Sequence, residues 1–91
     1  MDLDAIRREI DSVDRELVAL FEKRMDLVGQ VAEYKRETGK PIFDPEREAT
    51  LLDKVGRLVE NKAYQETIQA TFSDIMIQSR RYQAKALGLK E

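Results

Sequence analysis

The longest uninterrupted pattern in this 91-residue sequence runs from Asp4 to Thr38 and reads DAIRREIDSVDRELVALFEKRMDLVGQVAEYKRET. Apolar side chains recur in it at every third or fourth position, which is the spacing of one buried face of a helix. These positions are Ile6, Ile10, Val13, Leu17, Leu20, Leu27, Val28 and Val31. The pattern therefore predicts one very long amphipathic helix.

The length of this helix has a consequence for its environment. At ~1.5 Å rise per residue the helix forms a rod about 50 Å long. A compact chain of this size has a radius of gyration of only ~12 Å. The rest of the chain is too small to cover the rod, so we expect the rod to need a partner.

Two further helices are predicted after the rod. Gly39 suits a left-handed cap that ends the first helix, and Pro41 cannot continue it. Asp44 and Pro45 suit the cap and first position of a second helix, which we expect to end near Asn61-Lys62. Its apolar face comprises Leu51, Leu52, Val55, Leu58 and Val59.

The third helix is expected from about Tyr64 to Leu87, with Gly88 as its C-terminal cap. Its inner face comprises Ile68, Phe72, Ile75, Met76, Ser79, either Tyr82 or Gln83, and Ala86. No strand-like alternation is present, so the sequence predicts an all-α fold in a single domain over residues 1–91.

Composition excludes several kinds of chemistry. The chain has no histidine and no cysteine, which excludes hydrolysis by a catalytic triad or at a histidine-bound metal. We expect no metal and no cofactor. The net charge of -2 gives no reason to expect binding to nucleic acid or to a membrane surface. No segment resembles a signal peptide or a membrane span, so a cytoplasmic location is expected.

Two cations interrupt the apolar face of the long helix. Arg24 lies between Leu20 and Leu27, and Lys35 follows it eleven residues later, about 16 Å along the same face. Arg24 could form a buried ion pair with an acid from another helix, and Lys35 could pack its stem on the core with its ammonium in water. Alternatively, the two cations mark the ends of an anion-binding cavity.

Other polar residues allow a structural and a functional interpretation. Ser79 and Gln83 are four apart on one face of the third helix, where they could satisfy the core or bind a ligand. Arg7 lies about 25 Å from Arg24 on the same rod, so a small ligand cannot contact both within one chain. If the rods of two subunits run antiparallel, Arg7 of one rod can approach Arg24 of the other. The segment from Asp44 to Glu48 begins a helix, and its free backbone N–H groups could also bind a ligand oxygen.

The order and spacing of these residues resemble the all-helical chorismate mutases over about residues 3 to 86. The matching segments are Ile6-Arg7-x-x-Ile10-Asp11-x-x-Asp14, Leu20-x-x-Arg24, Val31-Ala32-x-x-Lys35, Pro41-Ile42-x-Asp44-Pro45-x-Arg47-Glu48 and Ile75-x-x-x-Ser79-x-x-x-Gln83. The resemblance implies a three-helix subunit whose long first helices intertwine in a homodimer. It also implies the Claisen rearrangement of chorismate to prephenate, a step toward phenylalanine and tyrosine.

The resemblance further implies a role for each site residue. Arg24, and Arg7 of the neighbouring subunit, would hold the substrate carboxylates, with Ser79 in support. The catalytic pair would be Lys35 and Gln83, which hydrogen-bond the ether oxygen. The ring hydroxyl of the substrate would be positioned by the backbone of Asp44 and by Glu48, with Arg47 nearby.

Two other functions remain open at this stage. An isochorismate-pyruvate lyase would share the fold and most of the cations, although Asp44, Arg47 and Glu48 favour the mutase. A non-catalytic helical dimer, such as a regulatory or scaffold module, would instead pair Arg24 and Lys35 with protein carboxylates and leave no cavity.

Overall fold

Three α-helices and one short 3-10 turn make up the fold of residues 1–89, which are the residues described by this computed structural model. The elements are α1 (Leu3–Thr38), α2 (Pro45–Leu58), the turn Lys62–Tyr64 and α3 (Gln65–Ala86). Residues 1–89 contain no strand, so the predicted all-α class is confirmed.

Both ends of α1 follow from local side-chain and backbone chemistry. The Asp2 side chain caps the helix by accepting a hydrogen bond from the Asp4 N–H at 3.0 Å. Gly39 ends it with a φ of 72°, and its N–H donates to the Lys35 carbonyl at 2.8 Å. A residue with a Cβ is strained at that angle, which explains the glycine. The predicted end at Thr38 and the Gly39 cap are confirmed, and the helix begins at Leu3, one residue before the predicted Asp4.

Between α2 and α3 the predicted helix ends were only approximate. Asp44 caps α2 as expected, accepting from the Arg47 N–H at 3.0 Å. The helix ends at Leu58 rather than near Asn61-Lys62, because Asn61 accepts from the Ala63 N–H at 3.0 Å and starts the 3-10 turn. A side chain that caps the next turn competes with continuation of the helix before it.

The buried core lies where α3 packs against both other helices. It comprises Val28, Ala32, Val55, Met76 and Ala84, together with the polar Ser79 and Gln83. On α2 and α3, two residues expected inside are exposed: Leu58, which retains 68% of its accessible surface, and Ala86. Leu58 is the last residue of α2, and near the end of α3 the buried position is taken by Ala84.

A close approach of α2 to α3 requires a glycine. A Cβ on Gly56 would collide with the side-chain amide of Gln69. That amide donates to the Leu52 carbonyl at 3.0 Å, so it is not free to move without losing a hydrogen bond. Gly56 therefore lets α2 and α3 pack closely at this point.

The first half of α1 extends beyond the rest of the chain. Ile10, Val13, Leu17 and Leu20 retain between 42% and 63% of their accessible surface. The chain measures 54 × 24 × 19 Å and has a radius of gyration of 16.1 Å, larger than the ~12 Å expected of a compact chain of this length. The apolar face predicted from the sequence thus exists, and nothing in residues 1–89 covers it. None of the helices in these residues is long and apolar enough to cross a membrane.

Candidate active site

Arg24 and Ser79 join α1 to α3 by a hydrogen bond. The Arg24 Nη1 donates to the Ser79 hydroxyl at 2.6 Å, and that hydroxyl donates onward to the Ile75 carbonyl at 2.8 Å. Ser79 is buried, with 6% of its surface exposed. The bond to a neutral hydroxyl leaves the charge of Arg24 uncompensated, which suits the binding of an anion.

Lys35 is held at the loop between α1 and α2. Its Nζ donates to the Ile42 carbonyl at 2.6 Å, so the ammonium points toward the start of α2 rather than into open water. Burial lowers the pKa of Lys35 from its ordinary value of 10.5, and the negative charges of Asp44 and Glu48 partly oppose that shift. The ammonium is therefore partly desolvated, with carboxylates near it.

Neither of these two cations forms an ion pair within residues 1–89. The salt bridges in this part of the chain are Glu33–Arg36, Asp53–Arg57 and Glu48–Arg80. The interpretation of Arg24 as half of a buried ion pair is thus wrong for the described residues. The arrangement expected of a non-catalytic dimer module, with both cations neutralised by the protein, is also not found there.

Gln83 has a buried amide oxygen without a partner. The residue is 6% exposed, and its Oε1 accepts no hydrogen bond from any of the described residues. Burying a polar atom without a partner costs ~1–3 kcal/mol. A buried amide that is unsatisfied beside a cavity is a good candidate for contact with a ligand.

These side chains meet around one cavity of about 170 Å³. Its polar lining consists of the cations Arg24, Lys35, Arg47 and Arg80, the carboxylates of Asp44 and Glu48, and the neutral Ser79 and Gln83. Its apolar lining consists of Val28, Val31, Ile42, Leu51 and Met76. Four cations face two carboxylates, which leaves a surplus of two positive charges.

Seven of the eight site residues predicted from the sequence line this cavity, and Arg7 does not. Arg7 lies near the start of α1 and is exposed. A single chain therefore does not bring Arg7 to the other predicted residues.

Arg80 lines the same cavity and was missed by the sequence analysis. Its Nη1 pairs with the Glu48 Oε1, and its guanidinium carbon lies 4.7 Å from the centre of the Phe43 ring. The signal for it was present, since positions 76, 79, 80 and 83 have the spacing of one helical face. An arginine beside a second arginine, Arg81, looks like surface charge when only the sequence is read.

The chain is thus an all-α protein with a cationic cavity between facing helices, which is a candidate binding site. A sequence profile of the family "Chorismate mutase type II" matches residues 6–84, and the chain belongs to that family. The predicted resemblance is confirmed.

Individual relatives agree with this family. The chain is 34% identical over 79 residues to a chorismate mutase of Methanocaldococcus jannaschii, covering 87% of this chain and 80% of that protein. It is 51% identical over 61 residues to a T-protein of Haemophilus influenzae, covering 67% of this chain but 16% of that protein. A 4-amino-4-deoxychorismate mutase of Streptomyces venezuelae is 28% identical over 76 residues, 84% of this chain and 74% of that protein. The match therefore spans about one sixth of the T-protein and most of the other two proteins.

Proposed function

We propose that this chain is a chorismate mutase, an isomerase that converts chorismate to prephenate. The observation that carries the proposal is the charge of the cavity. Its lining has two more cations than carboxylates, and neither Arg24 nor Lys35 is paired with an acid within residues 1–89. Chorismate carries two carboxylates, which would compensate that surplus.

The residue types that line the cavity fit the chemistry of this reaction. One ether C–O bond breaks while one C–C bond forms within the same molecule, and no proton or group leaves it. The rearrangement therefore requires no nucleophile and no acid–base pair, in agreement with a chain that has no histidine or cysteine. It requires the extended substrate to be held in its chair-like reactive conformer, a task suited to guanidinium–carboxylate contacts.

Arg24 and Lys35 divide this task between binding and catalysis. Arg24 binds one substrate carboxylate through its remaining N–H groups, while the bond to Ser79 fixes its orientation. Lys35 donates to the ether oxygen, where negative charge grows as the C–O bond opens. Its ammonium is partly desolvated and already anchored to the Ile42 carbonyl, so it stabilises that charge without reorganising.

Gln83 supplies a second donor to the ether oxygen. Its Nε2 donates to the ether oxygen, and the amide can rotate to exchange the oxygen and the NH₂ group if that is needed to direct Nε2 at the substrate. The ring hydroxyl is positioned by Glu48 and by the backbone of Asp44, with Arg47 also in the cavity lining.

The complete enzyme is a homodimer in which the long helices of two subunits intertwine. The uncovered apolar face of α1, including Leu17 and Leu20, supports this arrangement because it would otherwise remain in water. An antiparallel partner rod would also carry its Arg7 toward the Arg24 of the first subunit. The second substrate carboxylate is bound there, and each dimer has two such sites.

The proposal is tested by adding purified protein to chorismate and following the loss of its ultraviolet absorbance. Substrate and product are isomers of equal mass, so the product is identified as prephenate by NMR. Isochorismate is assayed in parallel for release of pyruvate. Formation of prephenate supports the mutase, pyruvate release alone supports the lyase, and no reaction with either substrate contradicts both enzymatic functions.

The pH dependence of turnover tests the role of Lys35. The lowered pKa of Lys35 means that its ammonium loses its proton at a pH below 10.5 in the free enzyme. We expect kcat/KM to fall as the pH rises through this lowered pKa of Lys35. A bound dianion favours the ammonium, so kcat should fall at a higher pH than kcat/KM does. Between mildly acidic and neutral pH the rate should be flat, since Gln83 does not titrate.

Two controls isolate this effect from unfolding. Circular dichroism at each pH reports whether the helices persist through the alkaline range. A Lys35→Arg variant keeps its charge throughout and should lose the alkaline limb, whatever its absolute rate. A steep fall between mildly acidic and neutral pH would contradict the assignment of Gln83 as a neutral donor.

A further inference from the structure

Arg80 is the cavity cation to which the proposed mechanism assigns no role. It lies on α3, directly after Ser79, with 29% of its side chain exposed, and its partner Glu48 has 21% exposed. The guanidinium pairs with the Glu48 carboxylate and stacks over the Phe43 ring at 4.7 Å. One side chain therefore joins α3, α2 and the loop that precedes α2, all at the wall of the cavity.

Without Arg80, the Glu48 carboxylate would have a different set of neighbours. It would be a mostly buried anion without its ion-pair partner, which is an unfavourable state. One of the other cations in the cavity lining is Lys35, whose ammonium already experiences the negative charge of Glu48. A released Glu48 would therefore compete with a bound dianion for the same ammonium.

The pairing does not prevent Glu48 from contacting the substrate. A carboxylate has two oxygens with about four acceptor positions, so it can bind a guanidinium and still accept a hydrogen bond from a hydroxyl. The bond to Arg80 involves Oε1 alone. The Oε2 atom has no bond to Arg80 or to any other of residues 1–89, so it can accept one from a substrate hydroxyl.

We propose that Arg80 is a positioning residue that holds the Glu48 carboxylate at the α2 wall of the cavity. This contact keeps Glu48 away from Lys35, so that the ammonium remains available to the ether oxygen. It also aims Glu48 at the ring hydroxyl of the substrate. The inference rests on the proposed function, because it concerns the same site and the same reaction.

A double-mutant cycle in the full chain tests this role with chorismate as substrate. Arg80→Met removes the charge but keeps much of the length of the side chain. We expect kcat to fall about tenfold or more, because the released Glu48 competes for the Lys35 ammonium. In a Glu48→Gln background position 48 has no carboxylate to release toward Lys35, so the added Arg80→Met should cost less than about twofold. Arg80→Lys keeps a cation and should recover much of the loss.

Phe43→Leu provides the matched control for the packing of Arg80. It removes the ring beneath the guanidinium and leaves the ion pair with Glu48, so kcat should stay within about threefold of wild type. Thermal unfolding of every variant is measured alongside. If Arg80→Met does not fold, the cycle is run with Arg80→Gln, which also removes the charge and whose cost should likewise shrink in the Glu48→Gln background.

The outcomes separate this inference from the proposed function. If the wild-type chain does not convert chorismate, both fail. If it does, and Arg80→Met costs the same with Glu48 or Gln at position 48, Arg80 acts on its own and the inference is wrong. An Arg80→Met variant with wild-type kcat overturns it as well.

Discussion

Replacing Lys35 by alanine is expected to lower kcat by at least about 10²–10³-fold, the typical effect of losing one preorganised donor to a developing oxyanion. The substitution removes the ammonium that we assign to the ether oxygen. The Ile42 carbonyl at the α1–α2 loop holds Lys35 itself, and no other cation of the cavity lining has this anchor. No other cation is therefore placed to replace the lost ammonium. The rate is measured from the loss of chorismate absorbance at saturating substrate.

The same substitution should leave the protein folded. Burial lowers the pKa of Lys35, which means that the folded state disfavours its charge relative to the unfolded state. Removing the ammonium relieves that penalty, and the relief offsets the lost hydrogen bond to Ile42. Circular dichroism and the oligomeric state should therefore match those of the wild type.

Lys40→Ala is the matched control for this prediction. Lys40 is exposed and lies 5.4 Å from the centre of the Tyr34 ring, outside the cavity lining. Its removal should leave kcat within about twofold of wild type, as expected for a surface cation. Near-normal turnover by Lys35→Ala would contradict the mechanism, whereas an unfolded Lys35→Ala would contradict the stability argument.

Sequence reasoning recovered α1 because a long periodic pattern depends only on local spacing. The ends at Gly39 and Asp44 were also accessible, since glycine and a capping aspartate act within a few residues. The end of α2 was placed too late because the apolar pattern continues to Val59. The competing cap at Asn61 could not be weighed from composition alone.

In the candidate site too, some residues could be predicted from the sequence and others could not. Arg24 and Lys35 were found because cations on an apolar face are unusual, and that argument needs no tertiary structure. Arg80 was missed because its proposed role depends on contact with Glu48, which is thirty-two residues away on another helix. A pairing of this kind depends on how α2 packs on α3. The close approach that requires Gly56 was equally unreadable from periodicity.

The second prediction with a large expected effect concerns Arg7 and the subunit whose site it serves. Arg7→Ala and Lys35→Ala homodimers should each lose most activity, because every site in them lacks one essential cation. In a dimer of the two variants, the proposed arrangement places both defects in one site. The other site receives the intact Lys35 of its own subunit and the intact Arg7 of the partner.

Mixing the two inactive variants should therefore restore turnover. Random pairing in a two-fold symmetric dimer makes half of the molecules mixed, each with one intact site of two, so about a quarter of wild-type activity is expected. The chains are unfolded together and refolded, and kcat per chain is compared with that of each parent treated alike. This is a gain from almost no activity, and added stability of the fold alone cannot produce it.

The neighbouring arginine provides the control for this experiment. Arg8 is exposed on the same turn of α1, and Arg8→Ala should be nearly as active as wild type before mixing. If Arg7 served its own subunit, every site in a mixed dimer would still lack one cation, and the mixture would stay at the level of its parents. A monomeric protein with full turnover would contradict the arrangement more directly. Recovery of activity requires that the long helix which leaves Ile10 and Leu17 uncovered in one chain also carries an arginine into the site of another.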